Sequence, residues 1–146
     1  CIMSVTIDPS TEPTLSVPGS PGCTTTPTKL AFADAIAGTG PVAKAGDSLT
    51  VKYVGLHWSN KQVFQTSWTA SPPTFDVSPL GTASVIPAWN QALIGVRAGA
   101  RRILITPASL AYGAAGSGTA IGPNEALIFI VDVVSVSPSA SASPTG

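Results

Sequence analysis

Period-two patterning marks the strands of this chain. Leu49, Val51 and Tyr53 alternate with Ser48, Thr50 and Lys52, the signature of a strand with one buried face that turns Tyr53 inward. Arg101, Ile103 and Ile105 alternate with Arg102, Leu104 and Thr106, and Pro107 ends that strand. Residues 127–136 are apolar on both faces for most of their length, which predicts a central strand. Residues 30–36 carry a weaker strand pattern. A second partly apolar segment follows Gly55, and the turn Ser59-Asn60-Lys61 joins it to Val63 and Phe64 as a hairpin. The period changes only over residues 85–95. There Pro87 suits a first helical position, Gly95 suits a left-handed stop, and Trp89 and Leu93, four apart, share one face. Two turns are stable only with that face packed on something larger, and a sheet is the candidate.

The remaining stretches are irregular. Ser4-Val5-Thr6-Ile7 and Thr14-Leu15-Ser16-Val17 alternate like short strands, with Pro9, Pro13 and Pro18 limiting any pairing; an extended arm along a sheet edge is expected. Two proline-punctuated loops are expected around Phe75, between Ser71-Pro72-Pro73 and Ser78-Pro79-Leu80-Gly81. Residues 112–123 are glycine-hinged and read as one long loop. The division is an extended N-terminal arm and linker (1–28), a compact domain (29–136) and a Ser/Ala/Pro-rich tail or linker (137–146). The fold class is α+β, a bent antiparallel β-sheet wrapped around one short α-helix.

Composition narrows the chemistry. A chain of 146 residues with 14 glycines, 14 prolines and zero formal charge has no basic run interleaved with aromatics, so no nucleic-acid partner is expected. His57 is the one histidine and no cysteine or carboxylate cluster accompanies it; it is expected at the surface or a strand edge, with no metal and no cofactor. Ser117 lacks the flanking glycines of a nucleophile elbow, since Ala115 and Thr119 hold those positions. Gly38-Thr39-Gly40 runs into Pro41 and cannot open a dinucleotide-binding helix. Asp76 and Asp132 are single acids in strand contexts, and Trp58 and Trp68 are expected at the surface or rim, where a client could touch them. Cys1 has three readings: a lipid-bearing cysteine of an exported protein, half of a disulfide with Cys23, or a trimmed boundary. The expected location is exported, extracellular or at the cell envelope.

On pattern alone Tyr53, Phe64, Trp89 and Phe129 are core residues. Their company says more. Gly38-Thr39-Gly40, Gly46-Asp47, Val51-Lys52-Tyr53-Val54-Gly55, Val85-Ile86-Pro87-Ala88-Trp89, Gly95-Val96-Arg97-Ala98-Gly99, Leu110-Ala111-Tyr112-Gly113 and Ala126-Leu127-Ile128-Phe129 stand in an order and spacing that resemble an FKBP-type peptidyl-prolyl cis-trans isomerase. Pro13-Thr14-Leu15-Ser16-Val17-Pro18 and Val63-Phe64-Gln65-Thr66-Ser67-Trp68 further resemble exported actinobacterial members, some of them lipoproteins. The resemblance implies a proline ring seated on Trp89 and walled by Tyr53, Phe64, Val85, Ile86 and Phe129. It also implies hydrogen bonds to substrate carbonyls from Tyr112 and the Ile86 N–H, and Ile121 on the loop side. Phe75 falls where the family has two nearby phenylalanines and could match either. Partners implied are proline-containing peptides, unfolded protein clients of a monomeric enzyme, and FK506- or rapamycin-type macrolides.

The sequence departs from the family at Gln65, where an aspartate usually follows the phenylalanine, and in the length of the loop before Trp89. Two functions stay open on that account: an isomerase assisting the folding of exported proteins, and a proline-peptide or macrolide binder with weakened turnover. A third places the domain in a longer chain, with the tail as linker.

Overall fold

The computed structural model describes residues 4–8, 10–16 and 25–138. Cys1, Cys23 and the expected Ser/Ala/Pro tail from residue 139 lie outside them.

The long strands build the sheet, because their side chains alternate so regularly. Strand β4 (Ser48–His57) runs antiparallel to β8 (Leu127–Ser137) in a ladder from Ser48↔Ser137 to His57↔Leu127, with one bulge at Thr50/Val51. On the other side of β8 lies β7 (Arg101–Thr106), and beyond it the exposed strand β3 (Ala31–Ile36). The free side of β4 is shared by β5 (Val63–Thr66) and β6 (Phe75–Val77). The order is β3-β7-β8-β4-β5 with β6 also on β4, all pairs antiparallel. β8 is central as its two apolar faces predict. Phe75 lies on a strand, not in a loop: Leu49↔Val77 and Val51↔Phe75 pairing supplies partners that a three-residue pattern cannot announce. Gly55 does not divide two segments either, since β4 passes straight through it.

The inner face of the sheet packs on α1 (Pro87–Ala92), which has Pro87 at its start, while Gly95 takes φ +88 just beyond its end. Leu49, Val51, Leu104, Leu127, Val131 and Val133 meet Trp89, Ala92 and Leu93 there. The helix has six residues and no side-chain cap, so packing alone holds it.

The outer face is covered too. Val54, Leu56, Trp58, Ile128 and Ile130 form a second apolar cluster with Val5, and Leu15, Trp68, Ile103 and Ile105 pack against it. Strands β1 (Ser4–Val5) and β2 (Leu15–Ser16) pair only with each other. The arm therefore lies across the outer face rather than along an edge, because that face is apolar and holds a buried cation. Arg101 is fully buried; its Nε meets both Asp132 oxygens at 3.0 and 2.9 Å, and its two terminal nitrogens donate to the Thr6 and Thr11 carbonyls at 2.5 and 2.7 Å. Trp58 is buried within that outer cluster, with Lys61 Nζ 4.1 Å from its ring, which departs from its expected surface position. Trp68 is half-buried, with Lys52 Nζ 4.6 Å from its ring. His57 is also half-buried: it contacts Glu125 and tilts against Phe64. Asp76 is exposed and accepts from Thr50 at 3.2 Å. No helix among the described residues is long and apolar enough to cross a membrane.

Candidate functional site

Trp89 is 4% exposed and has three rings standing edge-on to it: Tyr53 at 5.1 Å and 80°, Phe129 at 5.5 Å and 89°, Phe75 at 6.1 Å and 85°. Edge-to-face packing is the favoured arrangement of such rings. Each ring arrives on a different element. Tyr53 points inward from β4, Phe129 from β8, Phe75 from β6, and the helix delivers Trp89 one turn after Ile86. Together they enclose a cavity of about 180 Å³ lined by Tyr53, Gln65, Phe75, Ser84, Val85, Ile86, Trp89, Tyr112 and Phe129.

Eight of the residues singled out from sequence meet here. Phe64 and Ile121 do not line the cavity. Phe64 stands behind Phe129, ring centroids 6.1 Å apart, and lies so close over Gly55 that a Cβ there would be 2.7 Å from it. Ile121 is 3% exposed and belongs to the inner core, bridged to Ser117 within the loop. Ser84 lines the cavity and was not anticipated, because nothing in a Thr-Ala-Ser loop distinguishes it. Asn90 was missed as well. Its Oδ1 accepts from the Gly81 and Ala83 N–H groups at 2.9 and 3.1 Å, and its Nδ2 donates to the Ala83 carbonyl at 3.0 Å. That one side chain thus clamps the loop that brings Ser84, Val85 and Ile86 to the rim.

The chemistry on offer is aromatic and neutral. Polar groups at the wall are the hydroxyls of Tyr53, Tyr112 and Ser84 and the exposed amide of Gln65. Burial, and secondarily the neighbouring Tyr112, push the Tyr53 phenol above its ordinary value, so it stays protonated and able to donate. The Ile86 N–H, just outside the helix, has no backbone partner among the described residues. Ser67 fixes Tyr53 from behind: its N–H donates to the Tyr53 carbonyl at 2.9 Å and its Oγ accepts from the Tyr53 N–H at 2.8 Å. Among the described residues no three His, Cys, Asp or Glu side chains gather as a metal site. A wider hollow of about 520 Å³ beside Trp58, Lys61 and Glu125 has none of the box's rings.

The family model for FKBP-type peptidyl-prolyl cis-trans isomerases matches residues 40–134. An FK506-binding protein of Streptomyces anulatus is 44% identical over 111 residues, covering 75% of this chain and 88% of that protein. The outer membrane protein MIP of Legionella longbeachae is 38% identical over 116 residues, covering 80% of this chain and 48% of that protein. Several longer relatives are matched over only a minor part of their length. Among solved structures, a peptidyl-prolyl cis-trans isomerase from Pseudomonas syringae superposes with a TM-score of 0.64 at 31% identity, covering 75% of this chain and 76% of that one.

Proposed function

Because this chain belongs to the family of FKBP-type peptidyl-prolyl cis-trans isomerases, we propose that it accelerates rotation about Xaa-Pro bonds in polypeptides seated on Trp89. The observation that carries this reading is the aromatic box: a buried indole floor with three rings edge-on and neutral donors at the rim. Rotation about an Xaa-Pro amide is slow because the planar bond is resonance-stabilised, and no covalent bond need break. The twisted transition state has lost the amide's charge separation, so an apolar cavity favours it over the planar ground state. Tyr112 and the Ile86 N–H are disposed to hold the flanking carbonyls while the prolyl ring rests on Trp89. A ~10⁴-fold acceleration needs only about 5.5 kcal/mol of differential binding.

A second reading is favoured by one observation. Gln65 stands in the cavity wall where the resemblance leads one to expect a carboxylate, so the domain could bind proline-containing segments or FK506-type macrolides with weakened turnover. A protease-coupled assay on short Xaa-Pro peptides decides. Wild-type turnover abolished by FK506, and reduced in Tyr112→Phe, supports the isomerase. A silent wild type that binds FK506, with turnover appearing in Gln65→Asp, supports the binder. If the wild type neither turns over nor binds, both site readings fall.

Our reading extends to exported polypeptides as clients, a cell-envelope location and a monomeric state. The likeness to a Legionella protein named for the outer membrane is in keeping with the location alone. Fractionation of cells producing the full reading frame, and light scattering of the purified protein, are the tests.

A further inference from the structure

The arm lies outside the residues the family model matches, yet it is tied to the wall of the cavity. Strand β5 is the weak part of that wall. It has four residues, pairs with β4 alone, and its register slips at Gly55/Leu56. Alternation along β5 sends Gln65, opposite Gly55, to the cavity and Thr66, opposite Val54, to the outer face. There the Thr66 hydroxyl donates to Glu12 Oε2 of the arm at 3.0 Å and accepts from the Trp68 N–H at 3.2 Å.

A second path reaches the same place. The Thr6 and Thr11 carbonyls hold Arg101, whose guanidinium carbon lies 5.9 Å from the Trp68 ring. Arm, Arg101, Trp68, Thr66 and Glu12 therefore close a loop of contacts around the end of β5. The two residues that flank Thr66 act on the cavity: Gln65 lines it, and Ser67 grips the backbone of Tyr53 at 2.8 and 2.9 Å. Arm burial makes the tether firm, since Val5 and Pro13 are buried and Leu15 half-buried.

We propose that residues 4–8 and 10–16 form a strap that positions the β5 wall of the cavity, with Glu12 as a positioning residue acting through Thr66. Its consequence for substrate rests on the isomerase reading above. Without the tether, β5 rests on its irregular pairing to β4 and on Phe64 against Phe129, and the outer side of Thr66 no longer holds Gln65 in place relative to Tyr53. Substrate binding weakens while the rings that favour the twisted bond remain.

The experiment compares Glu12→Ala, Glu12→Gln, Thr66→Val and the double variant Glu12→Ala/Thr66→Val, with the exposed arm residue Ile7→Ala as control. Expected is a rise in KM for an Xaa-Pro peptide of about threefold in Glu12→Ala, within what one hydrogen bond supplies, and at least as large a rise in Thr66→Val, which also takes the acceptor from the Trp68 N–H. The kcat should hold, the double variant should be no worse than Thr66→Val alone, and Glu12→Gln, whose amide oxygen can still accept, should restore KM. Ile7→Ala should match the wild type. Amide resonances of Phe64, Gln65 and Tyr53 in the ligand-free protein should move with KM. Variants that lower only the melting temperature, with KM and those resonances unchanged, would overturn the strap and leave the arm a stabilising cover. A wild type without turnover would sink the isomerase reading, and the resonances would then decide the strap by themselves.

Discussion

Asn90 concentrates three hydrogen bonds on the loop 81–83, and a side chain so engaged is expensive to remove. Asn90→Ala leaves the Gly81 and Ala83 N–H groups without their partner, while the Ala83 carbonyl keeps the Val85 N–H at 2.8 Å, at about 1–3 kcal/mol if the two donors stay dry; urea denaturation should register the loss. FK506 affinity should fall with it, since the rim residues Ser84, Val85 and Ile86 follow directly. Asn90→Asp keeps an acceptor for both N–H groups and should recover most of the stability. Tyr53 makes a prediction in pH. Its phenol is raised in the folded state, so the fold favours the protonated form; that contribution is present below the ordinary tyrosine range and is lost as pH climbs through the raised value. Tyr53→Phe should remove this alkaline loss, measurable as melting temperature against pH. Among the described residues the cavity wall has no carboxylate, imidazole or amine, and kcat/KM should therefore be flat from about pH 5.5 to 9.

Among elements, β4 does the most positioning. It carries Tyr53 inward, aligns β5 and β6 along one edge, and leaves Gly55 opposite Gln65. A Cβ at Gly55 would stand 2.7 Å from Phe64 and 3.1 Å from Phe129. Gly55→Ala should push both rings aside, lower stability by about 1–3 kcal/mol through overpacking, and cut FK506 affinity more than tenfold by titration calorimetry. Helix α1 presents the opposite case at its end. Space around Gly95 is open, but φ is +88, so Gly95→Ala should cost about 1 kcal/mol in backbone strain and leave ligand binding alone.

At the scale of the molecule, one sheet carries two cores, and only the inner one makes the cavity. The outer core is closed by the arm through Arg101. Arg101→Met strands the Asp132 carboxylate and two arm carbonyls, and loss of one partner of a buried ion pair costs about 3–5 kcal/mol. Burial already raises Asp132 from its ordinary value, against the pull of Arg101. Without Arg101 the carboxyl would neutralise at still higher pH, so the deficit should be smaller at pH 5 than at pH 8 in denaturant titrations. By itself the sequence determined what a short window can hold: the alternation of β4, β7 and β8, the helix bounded by Pro87 and Gly95, the inward turn of Tyr53, and, through ordered motifs, the residues that meet around Trp89. Tertiary structure alone decided what depends on partners distant in the chain. Phe75 became a strand residue because β4 offered an edge, Phe64 was set behind Phe129 by its seat over Gly55, and Trp58 and the arm were drawn onto the outer face by its apolar surface and by Arg101. Periodicity reports which side chains share a face, whereas what covers that face depends on strand pairing and burial across the whole chain.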